Sequence, residues 1–260
     1  MSTDRAEVIR RTDQNYFDMW AAYGALVDGG EVREFDGVRC VWSTLPVAMF
    51  NNVFVMRPLD DARRILSRAI AFFDALEAPF VIRVREGLDP AAEAACEALG
   101  LPYSDTVPGM ALAPIRDGRT ADDPVRVERV RDDAGLDDHI GVIVEAFAMP
   151  RAAAERIVNR RTLDALDSEL YVGYDDGHPV ATVGLFVSGR TAGVMNVACL
   201  ASHRRRGIGE AMTWHAVSRG AALGATLAAL QASEMGRPVY ERMGFELVSP
   251  YRTFVRPEFR

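Results

Sequence analysis

The residues best equipped for chemistry in this sequence lie in one short run, His203-Arg204-Arg205-Arg206-Gly207-Ile208-Gly209-Glu210-Ala211-Met212. Consecutive arginines supply guanidinium forks that match phosphate oxygens, and glycines let a backbone approach a ligand closely. The pattern that follows is helical, so unpaired N–H groups and the positive end of the helix dipole face whatever sits at the loop. Together these features specify an anion site, with a pyrophosphate as its natural guest. Two other phosphate loops do not fit. A Walker A loop requires Gly-Lys-Ser/Thr, and a dinucleotide fingerprint requires a third glycine where Met212 stands. The competing reading is a solvated cluster of arginines beside ordinary turn glycines.

Few other residues compete for a role. All 30 basic residues are arginine, so neither a P-loop lysine nor a lysine Schiff base is available. Cys40, Cys96 and Cys199 are far apart with no CxxC pair, and His139, His178, His203 and His215 show no ligand spacing. No metal site is expected. A net charge of −7 and a pI near 5.2 argue against a nucleic-acid surface, which would carry a basic surplus. The N-terminal run is polar, and no segment approaches the roughly 18 apolar residues of a membrane span. The expected location is the cytoplasm.

The elements that must position the loop follow from periodicity and turn residues. In the second half, Val125–Val130 reads as a strand and Leu136–Phe147 as a helix ended by Pro150. A polar helical stretch, 151–166, leads to Leu170–Tyr174, the turn Asp175-Asp176-Gly177, Val180–Val187, a second turn at Ser188-Gly189-Arg190, and the strand Val194–Leu200. The loop comes next, then a helix to Leu223, a strand Ala225–Leu230, a short helix Pro238–Met243 and a last strand or pair of strands, Phe245–Val255. The first half repeats this plan faintly: a helix Ala6–Leu26, a hairpin turning at Asp36-Gly37, a strand Phe50–Met56, helices Leu59–Leu76 and Pro90–Leu99, and strands Pro79–Val84 and Val107–Ala113. Where the second half has its arginine-glycine loop, the first has Arg57-Pro58-Leu59-Asp60-Asp61. Two domains are therefore expected, 1–120 and 121–260, each a mostly antiparallel mixed α/β sheet flanked by helices.

The strand Val194–Leu200, the loop Arg204-x-x-Gly207-x-Gly209 with its helix, and the closing segment Val239-Tyr240-Glu241-Arg242-Met243-Gly244-Phe245 together resemble the GNAT superfamily of N-acetyltransferases. The resemblance covers 125–255 and identifies the first half as a degenerate tandem copy. It implies acetyl-CoA as co-substrate. Backbone groups of Val197, Ala198 and Cys199 would pair with the pantetheine arm as an added strand. Arg204, Arg205, Arg206, Gly207, Ile208, Gly209 and Glu210 would wrap the pyrophosphate. The resemblance also implies that this strand and the next one splay apart around the thioester. Many relatives have Asn at the position of Ser233, whose hydroxyl would contact the cofactor instead.

An amine attacks a thioester only in its neutral form, so a proton must leave it, and the departing thiolate must receive one. By resemblance Tyr240 is the general acid. Asn196 would orient substrate or water, and Glu145 is the candidate base, with a solvated helix-edge carboxylate as its plain alternative. Cys199 is read as a small buried hydrophobe, so transfer is expected to be direct, in a ternary complex. Cys96 takes the place of Tyr240 in the first half, which argues against a second active site there. The acceptor is expected to be a small-molecule or peptide amine, and by resemblance the last strand, Tyr251–Val255, would pair across a homodimer. Three alternatives stand beside this reading: transfer of a longer acyl group or to a protein, a non-catalytic acyl-CoA sensor, and a basic patch that binds nucleic acid.

Overall fold

A computed structural model describes residues 4–116, 124–164 and 168–259. The expected boundary at 120/121 and the end of the polar helical stretch fall outside these residues. The chain has a mixed α/β fold, and by packing it divides into two compact units. The first holds Met1–Met19 with Met110–Glu246, and the second holds Trp20–Gly109 with Leu247–Arg260. These units differ from the two sequence halves at both chain ends. The N-terminal turns of α1 (Arg5–Leu26) belong to unit 1, and most of β11 (Glu246–Val255) belongs to unit 2.

In unit 2, β1 (Glu31–Phe35), β2 (Val38–Trp42), β3 (Asn52–Val55), β4 (Val81–Arg85) and β11 lie side by side in that order. The β1–β2 turn takes positive φ at Asp36 (50°) and Gly37 (94°), the geometry that lets a two-residue turn follow strand twist. β3 and β4 run parallel and pair from Asn52–Val81 to Val55–Val84, and β4 pairs antiparallel with β11. Helices α2 (Ala62–Ala75) and α3 (Pro90–Ala98) bury Ile65, Leu66, Phe73 and Cys96 against Val53, Val55, Ile82 and Val84. β5 (Tyr103–Leu112) begins in this unit and ends in unit 1.

In unit 1, β6 (Arg126–Arg129), β7 (Ser168–Asp175), β8 (His178–Ser188) and β9 (Thr191–Cys199) form an antiparallel run, and β10 (Leu227–Gln231) is parallel to β9. Helices α4 (Asp133–Phe147) and α7 (Ile208–Ala222) pack on β8 and β9. The expected polar helix is two short ones, α5 (Arg151–Ile157) and α6 (Arg160–Asp164), separated at Asn159, whose side-chain oxygen accepts from Arg161 N. Before β10 and β11 respectively come α7 and the short α8 (Arg237–Arg242). The start of α1 is fixed to the β8–β9 turn. Asn15 donates to Ser188 Oγ at 3.1 Å, and Arg11 donates to Thr191 Oγ1 at 3.3 Å.

Candidate functional site

β9 and β10 begin as neighbours and then part. Among the described residues the register runs from Leu227–Thr191 to Ala229–Gly193 and ends there, while β9 continues to Cys199. The divergence coincides with a bulge. Opposite β8, Gly184 faces Met195 and Thr182 faces Ala198, so Asn196 and Val197 stand against the single Val183 and β9 carries one extra residue. Asn196 takes φ +51°, uncommon for a residue with a side chain, and Thr182 Oγ1 donates to its carbonyl at 2.8 Å. Asn196, Val197 and Cys199 are half-buried, whereas Ala198 is buried. A strand that has lost its neighbour on one side leaves edge N–H and C=O groups for an extended ligand.

The chain then turns through the loop into α7. Arg205 has φ +63° and Gly207 φ +76°, and Gly207 is the N-cap residue without any side-chain cap. The first described α7 bond is Ala211 N to Gly207 O, which leaves the amides of Ile208, Gly209 and Glu210 without helical partners. A Cβ at Gly207 or Gly209 would meet nothing within 4 Å, so packing does not require Gly209. An open cradle of backbone donors at a helix start is an anion site in form.

The arginines do not act alike. Arg206 donates to Asp175 Oδ2 at 2.8 Å and His203 Nε2 lies 3.5 Å from the same oxygen, so the loop is tied to the β7–β8 turn. Arg204 donates to the Cys199 carbonyl at 3.3 Å. Arg205 is exposed and has no ion pair among the described residues. The three guanidinium forks are therefore one tied arginine, one resting on β9, and one in solvent. Ser233 is exposed, and its Oγ accepts from Gly236 N at 3.1 Å, where it shapes the turn into α8.

Tyr240 is buried, with its ring edge-on to Phe245 at 5.9 Å. Burial pushes its phenol up to about 12, partly opposed by its hydrogen bond with Thr213. Thr213 is fully buried on α7 and donates to Gly209 O at 2.8 Å. One hydroxyl thus joins the tyrosine to the first turn of the helix behind the loop. Burial also raises the Cys199 thiol, which keeps it protonated and a poor nucleophile at neutral pH. Glu145 is exposed on α4, and no described side-chain contact brings it to the loop, to β9 or to Tyr240.

The structure adds Thr213, Thr182 and Asp175 to the residues read from sequence. Only Thr213 carried a signal, its four-residue spacing from Gly209 on the helix. Among the described residues, no group of His, Cys, Asp and Glu is placed to hold a metal, and no helix is long and apolar enough to cross a membrane.

Residues 167–247 match the family model described as the acetyltransferase (GNAT) domain. The sequence matches no curated protein. Among solved structures it is similar to a GCN5-related N-acetyltransferase from Kribbella flavida, at 18% identity and TM-score 0.75, covering 96% of each chain. A tandem GNAT protein from the clavulanic acid biosynthesis pathway has 16% identity, TM-score 0.63 and 94% coverage of each chain. A GCN5-related N-acetyltransferase from Sphaerobacter thermophilus has 18% identity and TM-score 0.61 over 85% of this chain and 78% of that one. At such identities the likeness speaks for the fold, while the family match speaks for the segment that holds bulge, loop and tyrosine. Residues 167–247 therefore match the acetyltransferase (GNAT) domain, and the whole chain has a fold similar to that of GCN5-related N-acetyltransferases, a tandem GNAT protein among them.

Proposed function

We propose that this protein is an N-acetyltransferase that takes the acetyl group of acetyl-CoA and passes it directly to an amine. The observation that carries the reading is the uncapped start of α7. Its free amides and the open space at Gly207 and Gly209 lie on the loop that follows the half of β9 released from β10. Those amides, with Arg204 and Arg205, would hold the pyrophosphate, and the edge of Val197–Cys199 would hold the pantetheine arm. When bound, acetyl-CoA supplies an activated acyl carbon and a thiolate leaving group.

This chain's residues supply the rest. Tyr240 keeps its proton at neutral pH because burial raises it to about 12, which suits a donor to the departing sulfur. Asn196, held in its unusual conformation on the bulge, positions the incoming amine or a water beside it. Glu145, being exposed, takes up the amine's proton through solvent. The acceptor is a small-molecule or peptide amine, and the protein works in the cytoplasm as a monomer or homodimer.

Titration calorimetry with acetyl-CoA and turnover on an amine panel test this reading together. Binding at one site per chain is expected, with kcat reduced about 100-fold or more in Tyr240→Phe at unchanged acetyl-CoA affinity. Binding without turnover on any amine would make the chain a sensor. A Glu145→Gln variant within twofold of wild type in kcat/KM would remove Glu145 from the mechanism.

A further inference from the structure

Arg83, in the middle of β4, is 6% exposed. On its face of unit 2 it stands between Phe54 of β3 and Thr253 of β11. Its Nε donates to Asn52 Oδ1 at 2.8 Å and its Nη1 to Thr253 Oγ1 at 3.2 Å. Both partners are neutral. Other arginines of the same unit are matched by carboxylates: Arg39 by Glu34 at 3.0 Å, Arg252 by Glu93 at 3.2 Å and Arg256 by Asp74 at 2.8 Å. Among the described residues Arg83 has no carboxylate, and a buried guanidinium without a counter-charge is strongly unfavourable.

The geometry shows where the missing charge would go. A guanidinium has five N–H donors, and the two described bonds leave three, both of those on Nη2 included. Among the described residues the buried polar side-chain atoms without partners are Trp20 Nε1, His139 Nε2 and Arg252 Nε, and Arg83 Nη2 is not one of them. Beside it on the same face lies an apolar patch of Ala48, Val81 and Val255.

We propose that Arg83 is the receptor for the carboxylate of a small aliphatic acid. One guanidinium balances one carboxylate, and the planar fork matches its two oxygens. A phosphate would bring more charge than the single arginine offsets. The apolar neighbours favour a short hydrocarbon tail over a second charged group. Arg83 belongs to unit 2 and the arginine-glycine loop to unit 1, and the proposal does not depend on acetyl transfer.

The test is calorimetric melting of the full chain in sodium chloride, acetate, butyrate or phosphate at matched ionic strength. A saturable rise in Tm is expected with acetate and a larger one with butyrate, about 5 °C at a hundred times Kd, with none from phosphate. Arg83→Met should abolish the response and, in chloride, melt no lower than wild type, because it removes an unmatched charge. Asn52→Asp should also abolish it and raise Tm, because it places a carboxylate on the arginine from within the chain. The proposal fails if wild type does not respond, if the response survives in either variant, or if phosphate is preferred. A lower Tm of Arg83→Met in chloride would identify Arg83 as a tie between strands and also overturn it. Should Arg83→Met not fold, Asn52→Asp decides: a lowered Tm or a retained acetate response refutes the site.

Discussion

The two parallel strand–helix–strand segments, β9–α7–β10 of unit 1 and β3–α2–β4 of unit 2, follow the same element order and differ where a phosphate would bind. In unit 1 the helix begins at Gly207 with no side-chain cap. In unit 2 it begins at Asp61, whose carboxylate accepts from Arg64 N at 3.1 Å. Asp89, itself buried, accepts nearby from Leu59 N at 2.8 Å and from Ala92 N at 3.0 Å. The strands differ in the same sense. β3 is paired to β4 along its whole length, whereas β9 leaves β10 after Gly193. The buried Tyr240 is matched by the enclosed Cys96, whose thiol burial pushes up to about 12. An anion site at a helix start is thus lost when the chain supplies its own carboxylate there, because the same amides and the same dipole are then already satisfied.

The sharpest way to break this contrast is Gly207→Asp, which gives α7 the cap that α2 has. Acetyl-CoA affinity is expected to fall about 100-fold or more by titration calorimetry. Tm should change little, since a cap is worth about 1 kcal/mol and the left-handed backbone costs a similar amount.

Acid should separate the units next. All four histidines lie in unit 1 and none in unit 2. His139 is fully buried, and burial holds it down at about 4, so folding favours its neutral form. The unfolded chain binds that proton first, so stability is lost as pH falls from about 6.5 to about 4, on the order of 3 kcal/mol. Glu169 adds a second window. Its bonds to Arg219 at 2.8 Å, with Tyr171 and Arg129 also close, depress it to about 2, so stability falls further between about 4.5 and 2. Hydrogen exchange followed from pH 7 to pH 4 is expected to quicken in α4 and β7 before β3 and β4. Equal acceleration in both would show that His139 does not govern the difference.

The reciprocal exchange, Asp61→Gly, should lower stability by only a few tenths of a kcal/mol and create no acetyl-CoA binding, because β3 and β4 remain paired and Asp89 remains in place. New binding there would mean that the loop alone makes the site. The smallest effect is expected from Asp175→Asn. It releases Arg206 from its ion pair and should tighten acetyl-CoA by threefold or less, consistent with about 0.5 kcal/mol for an exposed pair. Weaker binding would show that Asp175 presents the loop instead of restraining it.

Much of this was legible along the chain. Hairpin turns at Asp36-Gly37 and Asp176-Gly177 announced themselves because few residues accept positive φ at both turn positions. Helix stripes and strand alternation placed most elements, and the arginine-glycine spacing located the loop. Some features were not legible. Asn196 carries the bulge without a glycine to mark it, and Asp175 was read only as a turn residue although it holds Arg206. The start of α1 packs in unit 1, with Asn15 donating to Ser188 and Phe186, which its helical pattern does not reveal. Nor does the alternation of Phe245–Val255 say that its partner is β4.

By itself the sequence determined the types of element, their order, and the chemistry available at the loop, because turn geometry, helix starts and side-chain charge are local properties. Tertiary structure decided which strands pair, where they part, and which charges meet. Those depend on residues far apart in the chain: Arg206 on Asp175, Tyr240 beside Thr213, and Arg83 buried between Asn52 and Thr253 with no carboxylate to match it among the described residues.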